Sequence, residues 1–167
     1  WTTSVTEHPA GPLRVEFAVL AGLPQEVRLR LLARMIRRVT GRDMPLRLAK
    51  LEFLEERVLA GGGQQTLSGA IVLAKGRDLF VWREAGRELP ARICLAEGAE
   101  GVWDDRYSYS RQEAVGEGAE RTFTLGPLDR EPGTSTLVDW PAGWPKPAFT
   151  CAPALRVDDR LLFVPGL

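Results

Sequence analysis

Histidine and cysteine are nearly missing from this chain. Of 167 residues, one is histidine (His8) and two are cysteine (Cys94 and Cys151). A structural zinc site needs four such ligands, so a zinc-built fold is excluded. The two thiols sit in unrelated contexts and read as reduced side chains of a cytoplasmic protein rather than a disulfide. Ser108, Ser110 and Cys94 have only the distant His8 as a base, which argues against a nucleophile–base pair. No apolar run approaches the ~20 residues of a membrane helix, and no signal peptide opens the chain, so no membrane partner is expected. Net charge is also lacking: 22 basic residues balance 22 acidic ones. The chain as a whole therefore has no general attraction for nucleic acid or lipid.

The nucleotide-binding loops are absent too. The stretch "LAGGGQQTLSGAIV" (59–72) is glycine-rich and contains a hydroxyl residue, as a phosphate-binding loop does. Such a loop needs G-x-x-x-x-G-K-[ST], whose lysine offsets phosphate charge. No lysine lies between Gly61 and Gly69. The run also leads into β-forming residues, not into a helix whose amides could receive an anion. A pyrophosphatase loop, S-G-G-x-D-S, occurs nowhere. The glycines read as a helix stop followed by a connection. No catalytic, cofactor-binding or metal-binding residue is assigned to this chain.

What is present divides into helices and then strands. Residues 13–17, "LRVEF", alternate as a short strand. From Pro24, "PQEVRLRLLARMIRRVTG" predicts an amphipathic helix with Val27, Leu31, Leu32, Met35, Ile36 and Val39 inward, ending at Gly41. "PLRLAKLEFLEERVLAGGG" predicts a second helix, with Leu48, Leu51, Leu54 and Val58 as its stripe. After residue 63 come β-formers. "TLSGAIVLAKGRDLFVWRE" reads as a hairpin around Lys75-Gly76-Arg77-Asp78, with Trp82 in its core. "VWDDRYSYS" (102–110) and "RTFTLGPL" (121–128) read as strands. "PALRVDDRLLFVPGL" (153–167) reads as a hairpin turning at Asp158-Asp159. The acid pairs Asp104-Asp105 and Asp158-Asp159 are thus turn residues rather than metal ligands. The order predicts an α+β protein: a helical part at 1–62, then a β-rich, hairpin-containing part at 63–167, the two parts packing separately or as one unit.

Charge is neutral overall but unevenly placed. Residues 23–42 hold Arg28, Arg30, Arg34, Arg37, Arg38 and Arg42 against Glu26, a net +5. These arginines could serve the helix C-terminus or bind phosphate, whose oxygens match the guanidinium fork. Farther on, the proline-rich segment 129–149 holds Trp140 and Trp144. Two large aromatics there suit a protein-interaction surface, such as that of a homodimer.

The ordered set of patterns resembles the region C-terminal to the catalytic domain of bacterial tRNA(Ile)-lysidine synthases. The helix "LPQEVRLRLLARMIRRVTG" is followed by "MPLRLAKLEFLEERV", a glycine-rich gap and "TLSGAIVLAKGRDLFVWRE". "WDDRY" and "PALRVDDRLLFVPGL" come later, so the likeness runs over roughly residues 23–167. The family's Thr-Leu-Gly-Gly appears as Thr66-Leu67-Ser68-Gly69. Its Trp-Asp-Gly-Arg-aromatic pattern appears as Trp103-Asp104-Asp105-Arg106-Tyr107. The chain therefore departs at Ser68 and at Asp105, with a non-glycine residue at each. The resemblance implies an enzyme that uses ATP, with magnesium, to adenylate the wobble cytidine of tRNA(Ile); lysine then displaces AMP. ATP would bind in an N-terminal domain, and the start at Trp1 reads as internal to a longer protein. This region would recognise and position tRNA without catalysing the reaction alone. Given that partner, Arg34, Arg37, Arg38 and Arg42 are the first candidates for phosphate contact, Lys75 and Arg77 the second. Arg106 and Arg160 rank third, because each can pair with a neighbouring turn aspartate.

Overall fold

The computed structural model describes residues 5–86, 89–112, 121–129 and 138–167. Trp1 and residues 130–137 of the proline-rich segment lie outside them. The chain forms two compact units, Trp1–Gly86 and Arg87–Leu167. It is α+β, with the helices in the N-terminal unit and antiparallel strands in both.

In the first unit, β1 (Val5–Glu7) and β2 (Leu13–Glu16) form a hairpin, and short α1 (Phe17–Ala21) follows. Then come α2 (Gln25–Thr40), α3 (Leu48–Leu59), β3 (Gln64–Leu67), β4 (Ala70–Lys75) and β5 (Asp78–Arg83). The sheet order is β1-β2-β5-β4-β3. The early strand β2 pairs with the late strand β5, Leu13 opposite Val81 and Glu16 opposite Asp78. That pairing explains why the units divide at Gly86 rather than near 62, where helix gives way to strand. The sheet on which the helices pack is built largely from residues beyond 63.

Helices and sheet share one core, which includes Leu13, Val15, Leu32, Ile36, Val39, Leu54, Val58, Val72, Leu79 and Val81. The inward face of α2 is as expected at Leu32, Met35, Ile36 and Val39, but not at Val27. Val27 is 45% exposed, while Leu29 and Thr40 are buried. Apolar side chains cover more than one face of this helix. The buried stripe is the one that runs through Leu29, Leu32, Ile36 and Val39 at three- and four-residue steps. On α3, Leu51, Leu54 and Val58 are buried as expected, but Leu48, at the first position, is 60% exposed. Trp82 is 2% exposed. His8, between β1 and β2, accepts a hydrogen bond from the Ala10 amide at Nδ1, and burial pushes its imidazole below the ordinary value.

The second unit contains β6 (Ile93–Cys94), β7 (Glu100–Trp103), β8 (Tyr107–Ser110), β9 (Phe123–Pro127), β10 (Pro153–Val157) and β11 (Arg160–Phe163). One sheet runs β11-β10-β9-β6, and β7 pairs with β8. Arg156 is 2% exposed and donates to the carbonyls of Pro127 and Leu128, so its charge is held inside the sheet by backbone dipoles.

The turns explain much of the local sequence. A right-twisted hairpin favours two central residues with positive φ. Ser68 and Gly69 (51° and 82°) supply them between β3 and β4. Asp104 and Asp105 (53° and 55°) do so after β7, and Asp158 and Asp159 (49° and 63°) between β10 and β11. Aspartate tolerates this region better than most residues, and serine less well. We expect Ser68→Gly to raise the unfolding free energy of the first unit by about 0.5–1 kcal/mol, read from urea denaturation. Asp105→Gly should change the second unit less. A loss of stability on Ser68→Gly would show that the hydroxyl, not the backbone, determines this position.

Candidate nucleic-acid interface

The arginines of α2 separate by partner. Arg28 reaches the 3%-exposed Glu55 of α3 with Nε–Oε1 at 2.5 Å, and Gln25 donates to the other carboxylate oxygen. Arg28 also donates to the Leu23 carbonyl. It is therefore a structural cation between two helices. Arg30 pairs with Glu26 one turn away, both well exposed. Arg38 pairs with Glu7 of β1 at 2.6 Å. Arg34 is exposed on the same helix.

Arg37 and Arg42 are different. Both are exposed, and neither has a carboxylate partner among the described residues. They line one cleft at the C-terminal end of α2, together with Ile36, Thr40, Met44, Pro45, Leu46 and Ser68. Three local features build it. Gly41, at φ 69°, ends the helix, and its amide donates to the Arg37 carbonyl. Thr40 Oγ1 donates to the Ile36 carbonyl, so two of the last helical carbonyls are already satisfied. The chain then turns through 42–47 before α3, which brings Met44, Pro45 and Leu46 to the rim. From the far side comes the Ser68–Gly69 turn. A Cβ added to Gly69 would lie 3.8 Å from Arg42 Nη1, so the guanidinium rests against this turn.

Lys75 and Arg77 are also exposed, at the β4–β5 turn. That turn and the Ser68–Gly69 turn lie at opposite ends of β4, roughly 20 Å apart at strand rise. The fold thus joins Arg37 and Arg42 and leaves Lys75 and Arg77 elsewhere. Arg106 binds Asp104 in a pair only 6% and 5% exposed, and it also donates to the Cys151 carbonyl. Trp140 and Trp144 each pack against the buried Phe149 with tilted rings and remain partly exposed, and Lys146 lies over the Trp140 ring.

The glycine run does not suit a nucleotide. α3 ends at Leu59, the Gly62 amide returns to the Arg57 carbonyl, and β3 begins at Gln64. A phosphate placed there would meet the negative end of a helix dipole. No helix among the described residues is long and apolar enough to cross a membrane.

Comparison with protein-family models, curated proteins and solved structures found no match.

The charge and apolar lining of the cleft decide what it can hold. Two guanidinium groups without internal anions favour an anionic ligand, with phosphate the best geometric match. Met44, at 63% exposed, adds apolar surface beside them. Local charge picked out the arginines but missed Thr40, Met44, Pro45 and Leu46. The available signal was "MPL", an apolar run within a loop.

The division of arginines predicts unequal costs. Glu55→Ala should lower stability by about 2–4 kcal/mol, because it strands a largely buried guanidinium. Glu26→Ala, which breaks an exposed pair, should cost under about 0.5 kcal/mol. Urea midpoints of the two variants check this. Equal effects would mean that Arg28 is not the helix-joining cation.

Proposed function

We propose that this chain is the tRNA-recognition part of a tRNA(Ile)-lysidine synthase, the enzyme class that places lysine on the wobble cytidine of an isoleucine tRNA. The observation that carries the reading is the cleft. Its two arginines have no carboxylate partner among the described residues and meet beside the Ser68–Gly69 turn, part of the motif by which the chain resembles that family. A second observation supports the resemblance. Both positions where a non-glycine residue replaces a family glycine, Ser68 and Asp105, have left-handed backbone. Glycine adopts that conformation without steric cost, so both departures fall where the backbone itself accounts for glycine in the pattern.

In this reading Arg37 and Arg42 hold the tRNA backbone and set its register, without reading sequence. Arg34 and Arg38 lie on the same helix and act at longer range, Arg38 with its charge already shared by Glu7. ATP, magnesium and lysine act in the full-length enzyme, on residues other than these. The work of this part is to deliver the anticodon in a fixed orientation.

Binding of tRNA(Ile) by the 167-residue chain should weaken steeply as salt rises, since each phosphate contact releases counterions. Arg37→Ala combined with Arg42→Ala should flatten the log–log salt slope by about 1.5. Lys75→Ala with Arg77→Ala should change it less. An unaltered slope for the first pair, with a flattened slope for the second, would move the RNA contact to the other end of the sheet.

A further inference from the structure

We propose that the cleft takes a single unpaired nucleotide of the RNA, its base against Met44, Pro45 and Leu46 and its phosphate on Arg37 and Arg42. The proposal rests on the RNA-binding reading above and specifies the ligand at that site.

The composition of the cleft argues for it. A surface that holds only duplex backbone needs cations and hydrogen-bond donors on an open face. Here the cations stand at the edge of a concavity with substantial apolar lining: Ile36, Met44, Pro45 and Leu46. Phosphates give such a lining nothing to bind. A base does, because its faces are apolar and its edges polar. Only an unpaired nucleotide can present a whole base face, since bases in a duplex are stacked inside it. Thr40 and Ser68 place hydroxyl-bearing residues on the same lining. The Thr40 hydroxyl already donates to the Ile36 carbonyl. Ser68 is exposed, so its hydroxyl is available to a base edge or a ribose.

The geometry limits the size of the ligand. Arg42 rests against the Ser68–Gly69 turn, which closes one side of the cleft, while α2 forms the other. At Gly69, with φ 82°, the space a side chain would fill is bordered by Arg42 and Thr40. The cavity, about 130 Å³, is on the scale of one base and leaves a double helix outside.

The test uses the 167-residue chain and two RNA hairpins with equal numbers of phosphates, one blunt and one with a single-stranded tail of four nucleotides. Fluorescence anisotropy at low salt should give about tenfold tighter binding for the tailed hairpin, the scale of one stacked base. Replacing the tail nucleotides by abasic ones should remove most of that advantage with the charge unchanged. Met44→Ser should do the same. Arg42→Ala should weaken both RNAs. Equal affinities for tailed, abasic and blunt hairpins would overturn the single-nucleotide site while leaving the tRNA reading in place. Failure of every RNA to bind would overturn both.

Discussion

Glu55 is a carboxylate inside a hydrophobic core, and it can stay there only with a cation. Arg28 supplies that cation from the neighbouring helix, and Gln25 completes the set of hydrogen bonds. The pair marks the side of α2 that faces α3. A helix turns by about 100° per residue, so Arg37, nine residues beyond Arg28, stands on roughly the opposite side. Once Arg28 is turned to α3, Leu32, Ile36 and Val39 settle on the sheet and Arg37 is left to solvent. Arginine content alone would give α2 six equivalent cations with the loop that follows it. Ion pairs to Glu55, Glu26 and Glu7 take three of them, and of the other three Arg37 and Arg42 share an open cleft.

The rest of the site follows from chain termination and turning. Gly41 stops α2 in a left-handed conformation, and the next residues must cross to α3 through a loop that exposes Met44. The β3–β4 turn then has to pass close to Arg42. Glycine at 69 suits the left-handed backbone there, φ 82°, while a Cβ would only reach ordinary contact distance from Arg42. Ser68 of the "TLSG" stretch thus lines the proposed ligand site.

Much of the fold was legible in the sequence because its signals are local. Both long helices, their glycine stops, the Lys75–Asp78 hairpin and the aspartate turns all depend on neighbours within a few residues. Long-range features were not legible. Nothing near residue 13 announces that β2 will pair with β5. Val27 looked inward because it fits a helical stripe, yet the stripe through Leu29 reaches the sheet. At the site, charge density marked α2 but could not separate arginines that pair internally from those that do not. That distinction depends on Glu7 and Glu55, each some thirty residues from its partner. The apolar half of the cleft comes from a loop, where no periodicity exists to read.

Backbone amide exchange, compared with and without tRNA(Ile), tests the proposed RNA-contacting surface without any mutation. Slower exchange is expected across the loop from Thr40 to Arg47 and at the Ser68–Gly69 turn, with little change at Lys75–Asp78. If tRNA instead protected only the Trp140–Trp144 segment, or left the α2–α3 loop unprotected, the cleft would not be the recognition site.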